Sequence, residues 1–133
     1  MVKAMDEKRL REIYGPAKEK AAAKILEKLD KHCVSFIENS SFVIVGTLNN
    51  QSIDLSPKGD PYGFVKVISD YLLEIPDRPG NNRIDGLLNI VKNNFISLLF
   101  LIPSVNETLR VQGEAVISAV SYTHLTLPTT VSV

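Results

Sequence analysis

Cysteine is almost missing from this chain. Cys33 stands alone, which excludes a disulfide within the chain and fits a reducing, cytoplasmic setting. Neither sign of charge is in excess: 15 Lys and Arg face 15 Asp and Glu over 133 residues, a formal net charge of +0. A nucleic-acid binder normally carries a basic surplus, so that class is disfavoured. Long apolar runs are missing too, since Phe95 to Pro103 is far too short to span a bilayer. Met1 to Arg11 is charged and lacks the apolar centre of a signal peptide. Catalytic constellations are equally scarce. No metal-ligand spacing surrounds His32 and Cys33, and there is neither a serine nucleophile elbow nor a lysine in an apolar helical stripe. What remains is one soluble domain, long enough for one core, without nucleic acid or membrane among its partners.

Two proline-glycine segments stand out against this background: Ser56-Pro57-Lys58-Gly59-Asp60-Pro61, and Pro76-Asp77-Arg78-Pro79-Gly80-Asn81-Asn82-Arg83. Glycine lets a backbone approach a ligand closely, and proline holds the approach rigid. Lys58, Arg78 and Arg83 add positive charge, and Asn81 and Asn82 add amide donors. The second segment leads into a helical pattern, and a helix start favours an anion, so a phosphate suits it. The plainer reading pairs Arg78 and Arg83 with Asp60, Asp77 or Asp85 on the surface. Lys58 joins the second segment if their strands are neighbours.

The rest of the chain reads as helices, four strands, one helix and two strands. Asp6 to Tyr14 is a short helix closed by Gly15, and Pro16 opens a second, with Ala22, Ile25, Leu26 and Leu29 at helical spacing. Val34 to Ile37 adds a helical turn. Phe42 to Leu48, Ile53 to Ser56, Phe64 to Ile68 and Leu72 to Ile75 read as strands with short connections. Ile84, Leu87, Leu88 and Val91 make the apolar stripe of the inserted helix. Phe95 to Ile102 is continuously apolar and reads as a strand buried on both faces; Thr108 to Ser118 is the last strand. These strands close into a barrel, or lie as an open sheet with helices on one side.

No charged residue follows Glu114. Val120-Ser121-Tyr122-Thr123-His124-Leu125-Thr126-Leu127-Pro128-Thr129 matches the read-through translation of a transposon adapter used in DNA library preparation. The codons GTC TCT TAT ACA CAT CTG ACG CTG CCG ACG spell both. The expected junction falls in the Ala119 codon, with the natural product continuing differently beyond Ser118. An ordinary strand with a Pro-Thr turn is the alternative. The expected organisation is a helical segment over 1–41, a partial β domain over 42–118, and a non-native tail over 119–133, left out of fold reasoning.

Asp54, Ser56 to Asp60, Gly63 to Val65, Ile75 to Arg83, Asp85, Leu87, Asn89, Ile90, Leu98 to Pro103, Glu107 to Val111 and Gly113 together form a pattern. In it the chain resembles the pyridoxamine 5'-phosphate oxidase-like family of FMN-binding split barrels. Tyr62 departs from it, standing where this branch often has proline. The resemblance implies a mainly β fold: an antiparallel, six-stranded split β-barrel with N-terminal helices and one inserted helix, dimeric, with FMN at the subunit interface. It implies that Ser56, Pro57 and Lys58 run along the flavin and that Ile75 and Pro76 end a strand beneath its ring. It makes Arg78, Asn81, Asn82 and Arg83 the phosphate-binding turn. Thr108, with Arg110, meets the cofactor from the neighbouring side. The implied activity is that of an FMN-dependent oxidoreductase with a small-molecule substrate that the motifs do not name. The alternatives are a flavin- or haem-binding module without turnover, and a structural dimer whose loops bind only stray anions.

Overall fold

The computed structural model describes residues 3–16, 25–76, 85–118 and 122–132. Helix α1, Glu7–Tyr14, starts at Asp6, whose carboxylate accepts the Arg9 N–H at 2.8 Å. It ends at Gly15, where φ is +68°, a left-handed conformation that glycine adopts without a side-chain clash. The expected second helix falls mostly on residues 17–24, outside the described residues. Its far end differs from expectation: Ile25–Leu26 is a two-residue strand, β1. Helix α2, Lys31–Glu38, is longer than the turn expected over Val34 to Ile37. Asp30 caps it, accepting the Cys33 N–H at 2.8 Å, and this bond holds the Asp30 carboxyl below its usual pKa. Asp30→Ala is expected to cost about 1 kcal/mol of stability at neutral pH. Because folding lowers this pKa, the contribution is present above the usual aspartate range and is lost as pH falls through the lowered value. Urea unfolding of both proteins at neutral and acid pH checks this: the difference should shrink in acid.

Strands β2 (Phe42–Asn49), β3 (Ser52–Gly59), β4 (Lys66–Ser69) and β5 (Leu72–Pro76) follow. Helix α3 (Asp85–Lys92) precedes β6 (Phe95–Leu101), β7 (Thr108–Ser118) and β8 (Tyr122–Ser132). The sheet is antiparallel in the order β3-β2-β6-β7-β8-β5-β4, with β1 beside β8. All six expected strands are present as β2 to β7. The segment left out of the fold supplies a further strand, β8, between β7 and β5. Leu125 lies in register with Ala115 and Leu73, both buried. The β7–β8 register shifts between Gln112 and Glu114, where residues 127–129 face Gly113 alone. Pro128 has no N–H to donate, so a bulge suits that place.

Cross-strand partners share a face, and their rows define the core. Val43, Phe100 and Leu109 form one row; Val45, Leu98 and Val111 form the next. All six are buried, with Leu29, Cys33 and Ile37 from the α2 side. The run Phe95 to Leu101 is not buried on both faces, as its continuous apolarity suggested. Ile96, Leu98 and Phe100 face the core, while Ser97, Leu99 and Leu101 are half-buried on the other side. Helix α3 also turns differently from its expected stripe. Asn89 and Ile90 are buried against β2 and β7, whereas Val91 is 75% exposed. The hydrogen bonds of Asn89 hold that face inward.

Candidate functional site

The first proline-glycine segment is mostly strand. Ser56, Pro57, Lys58 and Gly59 pair with Val45, Ile44, Val43 and Phe42 along β3. Turn chemistry suggested a loop, but β3 is an edge strand, where a proline breaks no ladder on its open side. Gly63, at φ +83°, makes the turn that follows.

The pleat sorts this strand's side chains. Asp54, Ser56 and Lys58 share the core-facing side and are half-buried; Ile53, Leu55 and Pro57 point the other way and are exposed. Asp54 to Lys58 spans roughly 13 Å of strand. Thr108 and Arg110 are exposed on β7, and Arg110 pairs with Leu99, which pairs with Ile44 and so lies in the row of Pro57. Ser56 and Lys58 therefore lie on one face of the sheet, and Thr108 and Arg110 on the other. Within one copy of the chain they are not brought together.

Ile75 is 2% exposed and belongs to the core, so its side chain packs; Pro76 beside it is half-buried. Arg78, Asn81, Asn82 and Arg83 lie outside the described residues. The strands that deliver the two segments, β3 and β5, are not neighbours, because β2, β6, β7 and β8 lie between them in the sheet. The strand adjacency that would have carried Lys58 to the second segment is not found.

His32 and Cys33, adjacent in sequence, have separate surroundings. His32 Nε2 lies 2.9 Å from Glu107 on the surface. Cys33 is fully buried, and burial with the nearby Asp30 pushes its thiol up to about 11. A neutral thiol in the core is a poor nucleophile and a poor metal ligand. Among the described residues no group of three His, Cys, Asp or Glu side chains could hold a metal ion. Nor, among them, is any helix long and apolar enough to cross a membrane.

Beyond the tip of the β2–β3 hairpin lies an open groove of about 600 Å³, lined by Leu48, Asn49, Asn50, Asp54, Asp85, Leu88, Asn89, Lys92 and Asn93. Asn89 sits at its base. The amide donates to Thr47 Oγ1 at 3.0 Å and to Asp54 Oδ2 at 2.7 Å. Asn89 belongs to the sequence pattern that carries the family resemblance, which gives it no role. Its partners lie 42 and 35 positions away, and no local pattern reveals such a contact.

No family model matches the chain, and no curated protein matches it in sequence. Solved structures do match it. One is a protein of Lactobacillus delbrueckii provisionally described as a pyridoxamine 5'-phosphate oxidase. It is 15% identical with a TM-score of 0.63, over 81% of this chain and 96% of that one. A second is HupZ of Group A Streptococcus, 16% identical with a TM-score of 0.58, over 77% and 91% of the two chains. A single-substitution variant of HupZ gives the same identity and TM-score over 76% and 96%. At such identities the likeness shows the fold, so this chain has the split-barrel fold of pyridoxamine 5'-phosphate oxidase-like proteins.

Proposed function

We propose that the chain is an FMN-binding protein that works as an FMN-dependent oxidoreductase on a small-molecule substrate, in a reducing cytoplasm. The observation that carries this reading is the edge strand β3. It offers a hydroxyl at Ser56 and an ammonium at Lys58 from one half-buried face of a split barrel. That donor set fits a flavin, whose ring carbonyls, ribityl chain and phosphate all accept hydrogen bonds. Ser56, Pro57 and Lys58 would line the flavin, with Ile75 and Pro76 packing the strand end beside it. Arg78, Asn81, Asn82 and Arg83 would hold its phosphate at the approach to α3. When bound, FMN supplies hydride transfer at its N5 atom, and the protein supplies position and electrostatics.

Thr108 and Arg110 would act from a second copy, since they lie across the sheet from Ser56 and Lys58. The face of Thr108 and Arg110 also carries an apolar surface that a second copy would cover: Ile53 is 70% exposed and Leu55 69%. Leu55→Asp is expected to shift the protein from twice the protomer mass to the protomer mass in light scattering. The test of the activity is anaerobic mixing of the FMN-loaded protein with reduced nicotinamides. Bleaching of the flavin absorbance supports an oxidoreductase. A bound flavin that no donor bleaches favours a module without turnover.

A further inference from the structure

Strand β8 comes last among the described strands, yet it lies inside the sheet, with β7 on one side and β5 on the other. Tyr122 to Thr126 is paired on both sides, with Ser118 back to Glu114 on β7 and with Pro76 back to Leu72 on β5. Among the described residues, β8 is the link within the sheet between the β3-β2-β6-β7 ladder and the β5-β4 pair. Without it, β7 and β5 would present two open edges to one cleft. An open edge carries unpaired N–H and C=O groups, which are costly to leave unmade. A strand entering such a cleft is therefore recognised mainly through its backbone, and on both sides at once.

Side chains enter the recognition through the pleat. Position 125 stands in the row of Ala115 and Leu73, both buried. Position 124 stands in the row of Val116 and Glu74, and Val116 is exposed. A charge at 125 would be set unpaired into the core, whereas the same charge at 124 would meet water. The cleft thus asks for an extended segment with no charge in the inner row, and for little else. A segment that reads as adapter sequence can fill it for that reason.

We propose that β5 and β7 form a strand-receiving cleft that takes an extended peptide of the Tyr122–Ser132 kind as a separate molecule. The covalent join to β7 raises the local concentration of the strand, and the two ladders hold it.

The test uses the full chain and a labelled synthetic peptide of residues 122–132. Leu125→Lys in the chain should expel its own strand and free the cleft. His124→Lys places the same charge in the outer row and should leave the strand seated. Anisotropy of the label should show the peptide binding to the Leu125→Lys chain at least about tenfold more tightly than to the His124→Lys or the unsubstituted chain. A peptide that itself carries Leu125→Lys should bind at least about tenfold more weakly to the emptied cleft. Hydrogen exchange over 72–76 and 110–118 should be fast in the Leu125→Lys chain and slow again once the unsubstituted peptide is added, while β2 stays protected throughout. If the Leu125→Lys chain does not fold alone, refolding it with the unsubstituted peptide should rescue it. Equal binding to the three chains, no binding to the Leu125→Lys chain, or failure of that rescue would overturn the proposal.

Discussion

Replacing Arg78 and Arg83 together by alanine is expected to weaken FMN binding by two orders of magnitude or more and to leave riboflavin binding nearly unchanged. The size follows from the chemistry. A hydrogen bond from a guanidinium to a phosphate contributes about 1.5–3 kcal/mol, and about 1.4 kcal/mol is a factor of ten in affinity. Two such groups lost together therefore cost about a hundredfold at the least. The fold should survive, because the core is built from β2, β5, β6, β7 and α2 rather than from these arginines. Fluorescence titrations of the single and double variants with both flavins check it. Equal weakening for FMN and riboflavin would place the arginines at the ring instead of the phosphate. No weakening would return them to surface pairing with Asp60, Asp77 or Asp85.

The second large effect is on stability. Phe100→Ala is expected to cost about 3–5 kcal/mol, a large share of the roughly 5–15 kcal/mol that holds a domain folded. Phe100 is 0% exposed and sits between Val43 and Leu109 at the centre of the sheet, so its removal leaves a cavity that the flanking strands cannot close. Val116→Ala, on a residue 59% exposed, should stay within about 0.5 kcal/mol. Urea unfolding of both variants reads the difference. Similar costs at the two positions would contradict the assignment of inner and outer faces.

The parts of the fold that could be read from the sequence are those specified locally. Thr108–Ser118 has the expected ends because its alternation spans the whole strand. Helix α1 was legible because Asp6 and Gly15 cap it. Where distant partners decide, local patterns do not suffice. Ser56–Gly59 holds proline and glycine, which speak for a loop until it is known that β3 lies at an edge. Strand β1 exists only through its ladder with β8, more than a hundred positions away. The start of α2 does carry a local signal, Asp30 three places before Cys33. Tyr122–Ser132, in the adapter-like segment, alternates and carries no charge, which suits a strand between β7 and β5.

The candidate site divides along the same line. Residue types pointed to an anion, and the resemblance made that anion the phosphate of FMN. Neither showed that Ser56 and Lys58 face one side of the sheet while Thr108 and Arg110 face the other. That division follows from the period of the pleat once the register is known. On the proposed FMN reading, the residues then divide between two copies of the chain. Asn89 lay inside the quoted pattern, but its bonds to Thr47 and Asp54 depend on how α3 docks.

We propose that this chain binds FMN through its phosphate. The most direct measurement is a titration of FMN into the purified 133-residue chain, followed by flavin fluorescence and repeated with riboflavin. The expected result is saturable quenching of FMN, with riboflavin clearly weaker. Fluorescence that follows that of free FMN throughout the titration, or equal affinity for the two flavins, would contradict it.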